Sequence, residues 1–422
     1  MAGEPLPWWE RPRTQQEERP TRTEDLAPIE IGHLLNRAHH AGIDILERLF
    51  GEAEATLWAT LHLYRLPNGS PRFVKHGTRH RTFVTRMGRV DLRVQRVRDR
   101  QDGGTFAPLT VALGLGKKRY TPEVRMAAAE LASRTSYGEA SEVIERDLGL
   151  RIPRRTVWNF LQEISPNVER ALHAPSTPPP TEHSVHEADS TFVKAQRRRR
   201  GEQHAIHVAI TMDPEHHAHL AEVMVDGAPT SVLEGRSVDY LVTGDDTGLM
   251  AFPARAHQLC HVHFVRLLGT LLQEEGVGLL EREEILVPVR GLLAHLGNSV
   301  EVHRLRGEWW VTTDRARSTM SELEGIAPGL ERGVCLRAAR AIRREAKALV
   351  VFAEVAVHGV WMPATSNGVE RVMGMIADRC KRKWARWESG LRNLLVMPLA
   401  RKTWRGIYDR AVQRYLARRT YR

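Results

Sequence analysis

The chain has 422 residues, 42% of them hydrophobic, and a formal net charge of +11. At roughly 150 residues per domain that length predicts two or three domains, and the excess positive charge favours a polyanionic partner, nucleic acid before acidic lipid. Three cysteines, Cys260, Cys335 and Cys380, are too few for a disulfide framework and fit a reducing compartment; no run of about eighteen apolar residues offers a membrane span.

In chain order, residues 1–27 are Pro-rich and charged, lack an apolar signal core, and are expected to be disordered. Residues 28–116 predict a helix followed by a basic β-hairpin. An apolar stripe runs through 29–64 and stops at the Pro67-Asn68-Gly69 turn. Residues 81–98 then alternate around Met87-Gly88, with Phe83, Val90, Leu92 and Val94 against Arg89, Asp91 and Arg93. Arg89 and Arg93 are therefore candidates for phosphate contact. Residues 117–166 read as three helices. Thr121 and Ser136 are cap candidates, Glu139 stands at the capping-box spacing from Ser136, and Pro122 and Pro153 suit first helical positions. The break at Gly149 before Pro153-Arg154-Arg155-Thr156 has the form of a helix-turn-helix. Arg154, Arg155 and Thr156 would lead the recognition helix, and Trp158, Leu161 and Ile164 would face its core.

Residues 167–183 include Ala174-Pro175-Ser176-Thr177-Pro178-Pro179-Pro180 and predict a stiff linker. Strand patterns follow in 184–196, 204–212, 220–225 and 238–243, with a turn at the four arginines 197–200. The last strand is apolar throughout, as in strands buried on both faces. Residues 247–272 return to a helical pattern and 276–350 read as mostly helical, broken near Trp309-Trp310-Val311. Together these predict an α/β fold with a mixed sheet. A further helical pattern through Val369, Met373, Ile376 and Cys380 starts at the cap-type residues Thr365 and Asn367. The end of the chain, 381–422, carries thirteen Lys and Arg against two acids, with Lys381, Arg382 and Lys383 at its head. Leu391, Leu394, Leu395 and Leu399 would dock part of it, leaving 401–422 as a basic tail.

Three acids stand out. Asp189 follows an apolar strand, Asp245 follows the buried strand 238–243, and Glu370 falls in the first turn of the last predicted helix. Carboxylates at strand ends lie where open α/β sheets place their ligands. Each alone has an ordinary explanation, a turn former or a helix-dipole partner. Convergent, the three suit a pair of Mg2+ ions, with Mn2+ as the alternative. Asp246 competes with Asp245 for the second place. Cys260 and His263 form a C-x-x-H pair, but no second Cys/His pair of normal spacing accompanies it, so a buried cysteine bonded to a histidine is expected rather than structural zinc.

These residues together resemble bacterial insertion-sequence transposases of the Mutator-like DDE superfamily. Asp189, Asp245 in D-D-T-G-L-M, the Cys260-x-x-His263-x-x-Arg266 run and Thr365-x-Asn367-x-x-Glu370-Arg371 stand in the family's order, and 124 residues separate Asp245 from Glu370. The resemblance, over residues 80–400, implies a ribonuclease-H-like core (184–275 and 351–400) with an all-helical insertion (276–350). It makes Asp189, Asp245 and Glu370 the metal-holding catalytic acids, with Cys260, His263 and Asn367 beside them. It further implies a cytoplasmic, nucleoid-associated enzyme, oligomeric on double-stranded DNA, that binds terminal inverted repeats, cleaves with two Mg2+ ions and joins 3′-OH ends to target DNA. Two departures are present. Residues 226–237 leave little room for the family's helix before the second Asp, and Asp246 stands where a glycine is usual. A decayed or repurposed DNA-binding protein and a structure-specific nuclease are the alternatives.

Overall fold

A computed structural model of the chain describes residues 31–115, 118–173, 183–194, 203–213, 215–380 and 388–417. The N-terminal 1–27 segment, the Pro-rich run 174–182, the four arginines 197–200 and Lys381, Arg382 and Lys383 lie outside the described residues.

Helix α1 (Ile31–His62) lies across a hairpin of β1 (Phe73–Thr85) and β2 (Gly88–Asp99), extended by the short β3 (Thr105–Phe106). The hairpin starts earlier than its alternation predicts, because a bulge between Lys75 and Thr78 interrupts the period. Phe83, Val90 and Val94 on its apolar face pack with Leu46 and Phe50 of α1, and Phe50 meets Phe83 edge-on with ring centroids 6.0 Å apart. The opposite face carries Arg89 and Arg93, but Asp91 partners Arg89 at 2.8 Å, so its charge is partly matched.

Helix α2 (Pro108–Ala112) leads to α3 (Pro122–Ala132), α4 (Tyr137–Leu148) and α5 (Arg154–Leu172). Ser136 and Glu139 form the expected capping box, and Gly149 ends α4 in the left-handed conformation at φ 63°. Three details differ from expectation. Thr121 occupies the cap position of α3 without a side-chain cap bond. Pro153 is the cap of α5 rather than its first residue, and α5 continues through Pro166 to Leu172 because Val168, Ala171 and Leu172 prolong its buried stripe. The first residues of the expected linker, 167–172, are therefore helical. Trp158 is only half-buried, with the Arg155 guanidinium 4.4 Å from its ring, while Leu161 and Ile164 are buried.

The second sheet has the order β6-β5-β4-β7-β8. Its strands are β4 (Val185–Lys194), β5 (Gln203–Met212), β6 (Ala218–Val225), β7 (Tyr240–Thr243) and β8 (Ala256–Leu259). β4, β7 and β8 run parallel, and β5 and β6 pair antiparallel. The mixed α/β sheet is as predicted, but β8 corrects the helical reading of 247–272. Only α6 (Thr247–Met250) and α7 (His261–Glu274) are helical there. Ala256-His257-Gln258-Leu259 has no β-branched residue, and it is a strand because the parallel edge of β7 pairs with it.

Between β6 and β7 the short crossover makes a single 3-10 turn at Pro229–Val232. Val232 and Leu233 cover Ala188, Ala209, Ala221 and Leu241, and those alanines let so thin a layer seal one face of the sheet. Helices α8 (Leu279–Arg306), α9 (Trp310–Arg332), α10 (Leu336–Glu345) and α11 (Val351–Ala356) follow. α8, α9 and α10 form a separate core with Phe264, Leu268 and Leu272 of α7, which begins the helical unit before residue 276.

The other sheet face is covered by α12 (Asn367–Cys380) and α13 (Glu388–Thr403), and α14 (Arg405–Ala417) packs beyond them against α5. Leu391, Leu394, Leu395 and Leu399 are buried as their spacing predicts. The free basic tail expected at 401–422 is not what the described residues form. Ile407, Tyr408, Ala411 and Tyr415 are buried, the Tyr408 hydroxyl donates to Glu130 at 2.6 Å and that of Tyr415 to Glu163 at 3.0 Å. An apolar stripe among the arginines turns the segment into a core helix. One continuous core thus joins the amino-terminal helices to the sheet. Among the described residues no helix is long and apolar enough to cross a membrane.

His186 of β4 is buried, and burial, followed by the charge of Arg236, lowers its pKa to about 4. An unfolded histidine titrates near 6.5, so its contribution to stability is present above pH 6.5 and is lost as pH falls toward 4. That difference is worth up to roughly 3 kcal/mol. Denaturant unfolding of the wild type should weaken across this window, and His186→Leu should remove part of the loss.

Candidate functional site

Side chains alternate across a strand, so Glu187 and Asp189 of β4 face α12 while Ala188 and Ser190 face the crossover. The parallel pairing of β4 with β7 ends at Ala188 and Thr243. Asp189 is the next residue, inside a strand that continues to Lys194. It is thus at the end of the parallel ladder rather than the end of the strand. Asp245 leaves β7 two residues beyond Thr243, and Glu370 occupies the first turn of α12. The three carboxylates line one open cavity of about 590 Å3 with Ser190, Thr191, His263 and Arg266. Asp189 has its pKa raised, first by burial and then by the nearby charges of Glu370 and Asp245, against the Ser190 N–H and the His263 charge.

Glu187 was not singled out from the sequence, and it positions the helix that carries Glu370. Its Oε2 accepts the Val369 N–H at 2.8 Å, so a carboxyl group from the sheet caps the first turn of α12. The cap-type residues Thr365 and Asn367 do not supply that bond, and Asn367 is exposed. Burial pushes the Glu187 pKa up to about 8, against the hydrogen bonds from Val369 and Gly368. The close approach requires Gly368, because a Cβ there would stand 2.4 Å from Ile210 Cδ1 and 2.9 Å from Glu187 Oε2. A glutamate inside an apolar strand, two residues before Asp189, was the available signal. At the far end of α12, Arg379 donates to the Ala132 and Thr135 carbonyls at 2.7 and 3.0 Å, fixing the helix to the end of α3.

His263 stands among the acids, with Nε2 3.6 Å from Asp189 Oδ2 and Nδ1 3.5 Å from Glu370 Oε1. Its pKa is raised, first by the hydrogen bond to Cys260 and then by the charges of Asp189, Cys260 and Glu370, against burial. The Cys260 thiol is fully buried at the start of α7. Burial acts to raise its pKa, but hydrogen bonds with His263 and Ser366 outweigh it and hold the group below the ordinary thiol value. The Ser366 N–H points at Cys260 Sγ, 3.3 Å away. The expected buried cysteine stands beside the histidine, and Ser366, which bonds to both, ties the starts of α7 and α12 together. Gly244 gives His263 its room, since a Cβ there would lie 3.1 Å from the imidazole.

The two adjacent aspartates part company. Asp246 caps α6, accepting the Gly248 and Leu249 N–H groups at 2.9 and 3.3 Å, and it accepts the Ser190 hydroxyl at 3.0 Å. Asp245 is exposed, lines the cavity, and makes no hydrogen bond or ion pair with another described residue. Geometry therefore favours Asp245 over Asp246 as the free carboxylate.

A metal ion could be held at Glu370, but among the described residues Asp189 and Asp245 do not join it in one group of ligand atoms within 4.8 Å. Glu370 Oε1 is buried without a hydrogen-bond partner among the described residues. Cys260, His263 and Glu370 offer ligand atoms within 4.8 Å of one another. Of the residues singled out for DNA contact, Arg154 and Arg155 are exposed at the start of α5 and Thr156 is half-buried. Arg154 lies 3.8 Å from Glu142. Arg89 and Arg93 are exposed on the hairpin. Comparison of the sequence with known protein families and with characterised proteins finds no match.

The capping arrangement gives a stability test. Glu187→Gln keeps an acceptor for the Val369 N–H and should stay within about 1 kcal/mol of the wild type. Glu187→Ala leaves that buried N–H unpaired and should lose about 1–3 kcal/mol. Gly368→Ala should lose as much through displacement of α12. Denaturant unfolding measures all three, and a wild-type value for Glu187→Ala would show that the contact does not hold the helix.

Proposed function

We propose that the protein is a DNA transposase of the Mutator-like DDE superfamily. On this reading β4–β8 with α11, α12 and α13 are a ribonuclease-H-like core, and α8–α10 are its helical insertion. One observation carries the proposal. Three acids from separate segments, Asp189 on the central strand, Asp245 after its parallel neighbour and Glu370 on a helix 125 residues later, line one cavity open to solvent. A cavity floor of oxygen ligands suits hard divalent cations that keep part of their water, Mg2+ first and Mn2+ second. When bound, two such ions supply Lewis acidity on both sides of a phosphodiester.

The chain's own residues do the rest. Asp189, Asp245 and Glu370 hold the ions. His263 bridges the first and last of these acids and keeps them together against their mutual repulsion. Glu187 and Gly368 set the height of α12, and Gly244 sets the place of His263. Water or a 3′-OH end would enter from the open side of the cavity, the first for strand cleavage and the second for joining to target DNA. Arg154, Arg155 and Thr156 at the exposed start of α5, with Arg89 and Arg93 on the hairpin, are the candidates for holding the terminal inverted repeats. Work on two DNA ends favours a homo-oligomer. The crossover without an α-helix does not speak for a decayed copy, since Val232 and Leu233 seal the sheet there.

Nicking and strand joining in Mg2+ with DNA flanking the gene are the test. Asp189→Asn, Asp245→Asn and Glu370→Gln should each abolish product while leaving the melting temperature near wild type. Asp246→Ala should instead lower stability by about 1 kcal/mol through the lost cap and retain cleavage. Wild-type cleavage by Glu370→Gln would overturn the assignment. Cleavage without joined products would leave a nuclease.

A further inference from the structure

The cavity does not end at the acids. From His263 and Glu370 it continues between α7 and α12, whose starts are joined where the His261 N–H donates to the Ala364 carbonyl at 3.2 Å. Its walls keep the same spacing on both helices. Arg266 and Thr270 stand three and seven residues beyond His263, and Met373 and Ala377 stand three and seven beyond Glu370. Seven helical residues span roughly 10 Å, so the channel reaches well past a single phosphate. Gly374 leaves its α12 wall open, because a Cβ there would meet nothing within 4 Å.

Among the described residues Arg266 is the one cation on these walls besides His263. It is exposed and makes no ion pair or hydrogen bond through its guanidinium with another described residue, although three carboxylates line the same cavity. An arginine beside acids that it does not neutralise is available to an anion from outside. Guanidinium groups bind phosphate through two parallel hydrogen bonds, which a lysine's point charge cannot reproduce.

We propose that the channel between α7 and α12 holds one DNA strand and that Arg266 binds the phosphate next to the one being cleaved. This rests on the transposase reading and adds the path of the strand and the residue that sets its register. Met373, Gly374 and Ala377 present no charge, so the strand lies against a smooth wall on α12 and is gripped from α7. Arg266 is a binding residue outside the acid cluster, and the proposal requires no change in the protonation of any group.

Fluorescence anisotropy tests it, using a labelled duplex cut from the DNA flanking the gene, with Ca2+ in place of Mg2+ to prevent cleavage. Arg266→Ala should weaken binding about tenfold and make the salt dependence shallower by about 0.9 in log K against log salt. Arg266→Lys should recover only part of the loss. In a scan that replaces one phosphate at a time with a methylphosphonate, one position should weaken the wild type and leave Arg266→Ala unchanged. Gly374→Glu, for which the helix has open space, should melt like the wild type and bind far more weakly. If the wild type binds and cleaves but both variants bind as it does, the channel is not the strand's path and the transposase reading stands. If the wild type neither binds nor cleaves DNA, both fall.

Discussion

The site depends on a carboxyl group that is not itself one of the three cavity acids. Glu187 lies in the middle of the sheet, where burial disfavours its charge and raises its pKa to about 8, and its carboxyl group accepts the Val369 N–H at the start of α12. The same bond decides where α12 sits and so where Glu370 stands relative to Asp189. Gly368 permits the contact, Ser366 and Cys260 fasten the preceding turn to α7, and Arg379 fastens the other end of the helix to α3. A helix held at both ends places a long side chain far more reproducibly than a loop can.

Strand alternation then separates functions that look redundant in the sequence. Asp189 and Ser190 are neighbours on β4, yet they face opposite sides of the sheet. The side that holds Ser190 also holds Asp246, which the structure uses to cap α6. The side that holds Asp189 gathers Glu370 and His263. Asp245, left without a structural partner among the described residues, lines the opening of that same cavity.

The amino-terminal helices are not an independent module hung on the sheet. The buried Arg125 of α3 pairs with Glu163 of α5 at 2.6 Å, and Tyr415 of α14 donates to the same carboxylate. Ser165 of α5 donates to the Asn393 carbonyl of α13 at 2.7 Å. Glu222 of β6 collects His173 at 3.0 Å and Arg392 at 3.1 Å. Burial acts to raise its pKa, but the hydrogen bond and charge of His173, then the charge of Arg392, hold it below its usual value. The exposed start of α5 therefore belongs to the same packed unit as the helices that cover the sheet.

By itself the sequence specified most of the elements and singled out Asp189, Asp245 and Glu370, which line one cavity. Period-2 and 3.6-residue patterns specify faces locally, and capping chemistry such as Ser136 with Glu139 acts within one turn. Asp245 and Glu370 were legible because each follows a recognisable strand or helix start, and Asp189 because it follows an apolar run, although its strand continues past it to Lys194. The tertiary structure alone decided what depends on distant partners. β8 is a strand because β7 lies beside it, α14 is a core helix because α5 and α3 receive its aromatic residues, and α5 runs past Pro166 because α13 covers its end. Glu187 reads as an anomalous polar residue in an apolar strand until α12 arrives above it. No local pattern can state that meeting, since the two segments are separated by 181 residues in the chain and come together only where the helix's unpaired N–H groups need an acceptor.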